Sequence, residues 1–160
     1  MSPGARLALT VDVAAAPQQV WDAVTDWPRQ SEWMVGTTVR ATATGADGAP
    51  GSGVGGGIEA WTGIGSARAR LGFLDTMVIT HWDPPRRCVV RHTGAVIRGW
   101  GYFVVQPVAD QPNRSRLVWA EELELPFGAV GVAGWTLFRP AFAAGVQASL
   151  RAFARSVESA

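Results

Sequence analysis

The residues best suited to chemistry in this chain are a histidine and a carboxylate, His92 and Asp75, on either side of an Asp-Pro-Pro turn. A carboxylate beside an imidazole fixes the tautomer of the ring and raises its basicity. Such a pair suits general acid–base catalysis of an enolisation, aldol or dehydration reaction on a ketone. The alternative is a purely structural role, in which a hydrogen-bonded polar pair anchors two buried strands to each other.

The turn at residues 83–86 determines which residues of the flanking strands face each other. If Trp82 pairs with Arg87, one face of the hairpin carries most of the apolar residues together with Asp75 and His92. The two are then diagonal neighbours, about 7–8 Å apart at the backbone and closer at the side chains. The pairs on that face are His81–Cys88, Ile79–Val90, Met77–His92 and Asp75–Gly94, and those on the other face are Val78–Arg91 and Thr76–Thr93.

Glu121 is a third candidate, because it is the only charge among the apolar positions of a strand predicted near 115–125. Alternation along that strand predicts that its side chain points inward. Its strand should lie two away from that of His92, so no contact between them is predicted. The alternative is an ion pair between Glu121 and an arginine at the rim of a cavity.

Other polar groups are weaker candidates. His81 sits beside the turn, where a solvated or capping histidine is expected, and Cys88 reads as a buried, unreactive thiol. The inward apolar positions are expected to form core or the wall of a ligand cavity, and they are Met77, Ile79, Val90, Phe103, Trp119, Phe142 and Val146.

The elements that must position these residues follow from periodicity. An alternating strand over residues 6–13 precedes a helix of about ten residues that starts at Pro17 and ends before Pro28. A second short helix follows. Six further strands are predicted near 37–43, 57–64, 71–82, 87–93, 97–108 and 115–125. Apolar residues at three- and four-residue steps then predict a long helix, which Pro140 either begins or kinks.

Two connecting segments are low in complexity or strongly apolar. The segment Gly45–Gly57 is so rich in glycine that we predict a mobile loop, either a lid or a connector. The segment Pro126–Gly134 is apolar and could gate a pocket or act as an ordinary connector.

Composition excludes several function classes. The chain has 160 residues, a net charge of +1, one cysteine and no lysine, so Schiff-base and P-loop lysines are absent and no internal disulfide can form. We expect a single domain over residues 1–160, located in the cytoplasm, without nucleic-acid binding or stable membrane insertion. Metal-ligand spacing is absent, and no cofactor is predicted. The sequence does not determine the oligomeric state.

The order strand, two short helices, six strands and a long helix is that of the helix-grip fold. The chain resembles the START-like (SRPBCC) superfamily, and most closely its polyketide cyclase/dehydrase and lipid-transport branch. The resemblance rests on APQQVWDAVTDWPRQSEWM, ITHWDPPRRCVVR, SRLVWAEELELP and the final helix, and it extends from about Leu7 to Val157. It implies an α+β, START/Bet v 1-like fold, in which a curved seven-stranded antiparallel sheet and the long helix enclose a cavity.

Members of such families typically hold a hydrophobic small molecule between sheet and helix, and some cyclise or dehydrate polyketides there. The resemblance transfers no catalytic residue. We therefore carry three hypotheses: binding of a lipid, polyketide or aromatic compound; a cyclase, aromatase or dehydratase that uses His92 with Asp75 or Glu121; and a protein-interaction module whose cavity is filled.

Overall fold

The computed structural model of the chain describes residues 4–66 and 69–160. The strands are β1 (Gly4–Val13), β2 (Thr37–Ala43), β3 (Gly57–Ser66), β4 (Ala69–Asp83), β5 (Arg87–Thr93), β6 (Arg98–Val108) and β7 (Gln111–Glu124). The helices are α1 (Pro17–Val24), a 3₁₀ helix (Trp27–Glu32) and α2 (Ala129–Glu158). The predicted α+β helix-grip order is confirmed, with each strand close to its expected bounds.

All seven strands form one antiparallel sheet in the order β1-β7-β6-β5-β4-β3-β2. The first strand therefore pairs with the last, and β5 lies near the centre of the sheet. The strands of Glu121 and His92, β7 and β5, are separated by β6, as predicted.

The short helices close one end of the sheet. Pro17 occupies the first turn of α1, and Val20, Trp21 and Val24 form its buried face. Trp21 packs edge-on against Trp82 of β4, with 4.9 Å between ring centroids. Part of the hydrophobic core thus lies between α1 and the sheet.

The β4–β5 hairpin has the predicted register from Met77 to Ile79, next to the candidate site. Met77 pairs with His92, Val78 with Arg91 and Ile79 with Val90. Nearer the turn the prediction is wrong: a register shift between Ile79 and His81 makes His81 pair with Val89, Trp82 with Cys88 and Asp83 with Arg87. This bulge moves Trp82 onto the inward face, where it meets Trp21, and leaves His81 exposed.

The glycine-rich segment forms a loop, as predicted, but part of it packs against the core instead of being loosely connected. Trp27 Nε1 donates a 2.6 Å hydrogen bond to the Gly51 carbonyl, and the Gly55 N–H donates to the Ile79 carbonyl at 2.8 Å. Gly51 has a φ of 64°, and a Cβ there would lie 2.7 Å from the Trp27 ring. Glycine is therefore needed at this position for both its backbone conformation and its close contact.

Helix α2 continues through Pro140, so this proline lies inside a longer helix instead of starting it. Its C-terminal half buries Val146, Leu150 and Phe153 against the core. Its N-terminal half is largely exposed, and residues 129–134 of the predicted gate or connector belong to it. By length and composition alone α2 could cross a membrane, and only 6% of the 18-residue stretch that meets this criterion is buried in the structure.

Candidate functional site

Three buried titratable residues form one hydrogen-bonded group on the inward face of the sheet. His92 Nδ1 lies 2.8 Å from Asp75 Oδ2, and His92 Nε2 lies 3.0 Å from Glu121 Oε2. All three residues are less than a tenth exposed. We call Asp75, His92 and Glu121 the charged triad. The structure thus brings together all three residues that the sequence singled out as catalytic candidates.

The contact between His92 and Glu121 depends on a missing side chain. Gly101 of β6 pairs with Val90 on one side and with Glu121 on the other. A Cβ at Gly101 would lie 3.0 Å from His92 Nε2 and 3.3 Å from Glu121 Oε2. The two side chains therefore meet over the intervening strand because Gly101 leaves the space open.

Glu121 has a second partner, and it is not the arginine suggested by the sequence. The indole Nε1–H of Trp119, two residues earlier on β7, donates to Glu121 Oε1 at 2.7 Å. Both carboxylate oxygens of Glu121 are therefore engaged. This arrangement holds the carboxylate in place within a largely apolar surrounding.

The triad carries a fixed positive charge between two carboxylates. Burial alone would lower the pKa of His92, but its hydrogen bonds to Asp75 and Glu121 and their negative charges raise it to about 10. The imidazole is then protonated at neutral pH, and each ring nitrogen donates to a carboxylate. Because both N–H groups donate to carboxylates, His92 has no free lone pair with which to accept a proton and no N–H directed at a ligand.

The triad lines a cavity of about 710 Å³ between the sheet and α2. The rest of its lining is mostly apolar, and it includes Met77, Val90, Phe103, Trp119, Phe142 and Val146. Six of the seven positions predicted for the wall thus lie there. The seventh, Ile79, is fully buried in the core and lies outside the lining.

The cavity opens beside the N-terminal half of α2. Four lining residues are more than half exposed and mark this opening: Val35, Ile64, Val96 and Phe138. Phe138 stacks on Phe142, which in turn packs against Trp135 at 5.8 Å. An aromatic group on α2 therefore forms the wall opposite the triad.

The remaining candidates lie away from this chemistry. His81 is exposed, and burial raises the pKa of Cys88 to about 12, which makes its thiol unreactive at neutral pH. Across residues 4–66 and 69–160, no group of three or more histidine, cysteine or acidic side chains is arranged to hold a metal ion. The residue that sequence reasoning missed is Gly101, whose role depends on the order of the strands.

Comparison with known proteins gives one match to a family. The family described as polyketide cyclase / dehydrase and lipid transport matches residues 4–158, nearly the whole chain. A search of curated proteins found no match.

Several solved structures share the fold at low sequence identity. TTHA0849 from Thermus thermophilus is 14% identical with a TM-score of 0.70, and the alignment covers 97% of this chain and 98% of that one. The Zhui aromatase/cyclase from Streptomyces sp. R1128 is 16% identical with a TM-score of 0.69, covering 98% and 94%.

A START superfamily protein from Mycobacterium smegmatis is 16% identical with a TM-score of 0.64, covering 96% and 94%. These likenesses concern the fold alone. Together with the family match and the cavity between sheet and helix, they lead to one conclusion: the chain belongs to the polyketide cyclase / dehydrase and lipid transport family and has a START-like helix-grip fold.

Proposed function

We propose that this protein binds a hydrophobic small molecule, such as a lipid, a polyketide or an aromatic compound, in the cavity between the sheet and α2. The observation that carries the proposal is the cavity itself, which at about 710 Å³ falls within the roughly 300–1,000 Å³ typical of ligand pockets. Its walls are mostly apolar, and a few polar groups converge at one place. That combination buries an apolar ligand and orients it.

The size of the cavity counts against a pure protein-interaction module. Such a module was expected to fill the space with side chains, and a volume below about 300 Å³ would have favoured it. Here the space is more than twice that size and reaches solvent beside Phe138. Ligand binding is therefore the preferred function, and the cytoplasm stays the predicted location.

The direct test is to look for the ligand. Protein purified under native conditions is denatured and extracted with organic solvent, and the extract is analysed by mass spectrometry. We expect a hydrophobic compound in the extract, or a rise in melting temperature with one member of a panel of lipids, polyketides and aromatic compounds. An empty extract and no shift with any member would contradict the proposal.

A second candidate function is catalysis on a poly-ketone as a cyclase, aromatase or dehydratase. The observation that favours it is the charged triad in the cavity wall, since perturbed titratable groups cluster at functional sites. The geometry changes the role suggested by the sequence. Both N–H groups of protonated His92 are directed at Asp75 and Glu121, so a proton would reach or leave a substrate through one of these carboxylates, with His92 as the proton reservoir between them.

The catalytic hypothesis predicts a loss of turnover when His92 is replaced. General acid–base groups typically contribute about 10²- to 10⁴-fold, so His92→Gln should slow turnover of a poly-ketone substrate by at least about 100-fold. The matched control is His81→Gln, which changes the exposed histidine. Equal rates in folded His92→Gln and wild type would remove His92 from the mechanism.

Alanine is a poor choice at this position. Because His92 separates two carboxylates, His92→Ala would leave both buried without their cation and without the volume of the ring. We therefore expect His92→Ala to lower the stability of the fold, and a loss of activity in that variant would not isolate the chemistry of the imidazole. Glutamine keeps most of the volume and a hydrogen-bond donor.

A further inference from the structure

The described wall of the cavity carries more negative than positive charge. Its ionisable carboxylates are Asp75 and Glu121, and its cationic group is His92. The charged triad therefore sets two carboxylates against one imidazole. No arginine is among the described residues that line the cavity. An anion placed beside the triad would therefore find no cation free to pair with it.

One oxygen of the triad also lacks a partner. Asp75 Oδ1 is buried and makes no hydrogen bond with any described residue. The side chain of Asp75 as a whole is only 9% exposed. A Cβ at Gly94 would lie 3.7 Å from this oxygen and 3.5 Å from the Ile97 carbonyl oxygen. The backbone nitrogen of Thr76 lies at the same 3.5 Å from that Cβ position, and Gly94 is not among the described residues that line the cavity. Burial of Asp75 Oδ1 without a donor is costly, but this oxygen has almost no accessible surface, so a ligand in the cavity can reach Asp75 only through its other atoms.

We propose that the cavity selects amphiphiles whose polar end donates a hydrogen bond and carries no negative charge, namely a hydroxyl or an amine, and that it rejects carboxylates. This inference rests on the proposed binding function and narrows its ligand class. An amine or a hydroxyl can donate to a carboxylate oxygen of Asp75 or Glu121 from the cavity, since each carboxylate has more lone pairs than its present partners use. A carboxylate would have to bury a second uncompensated charge on an apolar wall that is already negative.

The test uses a matched series of ligands with the same alkyl chain. Dodecanol, dodecylamine, dodecyl methyl ether and dodecanoate displace a neutral apolar dye, N-phenylnaphthylamine, from the wild-type protein at neutral pH. All four are used below the concentrations at which they aggregate. We expect dodecanoate to bind at least about tenfold more weakly than dodecanol or dodecylamine, because only the carboxylate must bury an unpaired anion.

The ether separates charge from hydrogen bonding, since it is neutral but has no donor. We expect it to bind more weakly than dodecanol, because it cannot donate a hydrogen bond to the carboxylates of the triad. The order of dodecanol and dodecylamine identifies which donor the site prefers. Equal binding of ether and alcohol would overturn the requirement for a donor.

A pair of variants assigns the selectivity to the triad. Asp75→Asn removes one carboxylate charge from the cavity wall, and we expect it to reduce the discrimination against dodecanoate at least about tenfold. Asp12→Asn is the matched control, because Asp12 pairs with Arg116 on the exposed surface. It should keep the wild-type preference. If Asp75→Asn does not fold, the wild-type ligand series decides alone.

The outcomes separate the two proposals. If the dye binds and dodecanoate competes within tenfold of the alcohol and the amine, the selectivity is overturned while the binding function stands. If neither the dye nor any of the four ligands binds, the binding function itself fails. If dodecanoate is weaker by tenfold or more and Asp75→Asn alone reduces the gap, the inference is supported.

Discussion

Replacing His92 by glutamine should destabilise the protein by an amount that depends on pH. The imidazole pairs with both Asp75 and Glu121, and removing one partner from a buried ion pair typically costs about 3–5 kcal/mol. Glutamine cannot supply the positive charge that both carboxylates need. We therefore expect the free energy of unfolding of His92→Gln to be about 3–5 kcal/mol below that of the wild type at pH 6.5.

The pH dependence follows from the raised pKa of His92. Its ordinary value is 6.5 and its folded value is about 10, so at low pH the protonated ring stabilises the folded state by about 5 kcal/mol. The contribution is complete below the unfolded pKa and is lost as the pH rises toward 10, because the unfolded chain releases the proton first. Between pH 6.5 and 8.5 the free energy of unfolding of the wild type should therefore fall by about 2 kcal/mol as His92 contributes less.

Urea denaturation at several pH values between 6.5 and 8.5 measures this loss. The pH range stops at 8.5 because Cys88 also begins to contribute above that value. Burial raises the pKa of its thiol to about 12, so the unfolded chain loses this proton first and the free energy of unfolding falls further as the pH rises. The wild type and the control His81→Gln should lose stability in parallel, while His92→Gln should lose about 2 kcal/mol less. If all three proteins follow the same slope, His92 is not a buried cation and the reasoning is refuted.

Three further substitutions test single contacts of the site. Gly101→Ala should lower the free energy of unfolding by about 1–3 kcal/mol, because its Cβ would press against the triad. The control Gly4→Ala should change it little, since its Cβ would lie 3.8 Å from the nearest atom. Equal urea midpoints for the two variants would contradict this. Trp119→Phe should cost about 1–3 kcal/mol in the same assay, since a buried carboxylate oxygen loses its donor, and an unchanged midpoint would refute the importance of that bond. Phe142→Ala should weaken binding of a neutral apolar dye at least about tenfold. The control Leu137→Ala should leave dye affinity unchanged, because Leu137 is 84% exposed and does not line the cavity. Equal losses of dye affinity in the two variants would argue against the aromatic wall.

The order of the elements and the central hairpin register could be predicted because local patterns determine them. Alternation of apolar residues fixes which face of β4 and β5 is buried, and this placed Asp75 beside His92 correctly. The predicted register was wrong near the turn because of a tertiary contact. Trp82 is turned inward by a bulge and packs on Trp21, a contact between distant segments that no hairpin rule contains.

Two other features depend on contacts that composition does not encode. The glycine-rich segment looks like a flexible linker by composition, yet Gly51 is held by the indole of Trp27. The contact between Glu121 and His92 requires both the order of three strands and the absence of a side chain at Gly101. Each candidate could be found from the sequence, but their assembly into one group could not.

The most direct test of the account is to fill the cavity from α2 and measure binding of a neutral apolar dye. Gly145 lines the cavity and Gly134 does not, and a Cβ at either glycine would meet no atom within 4 Å. Both lie within α2, so each should accept a phenylalanine without a clash at its Cβ.

We expect Gly145→Phe to occupy the ligand's space and weaken dye binding at least about tenfold, since the dye loses apolar contacts worth about 1.5–3 kcal/mol. Gly134→Phe, on the exposed surface of the same helix, should bind the dye as the wild type does. If the wild type binds no dye, or if both variants bind it with wild-type affinity, the cavity is not the binding site and the central claim is contradicted.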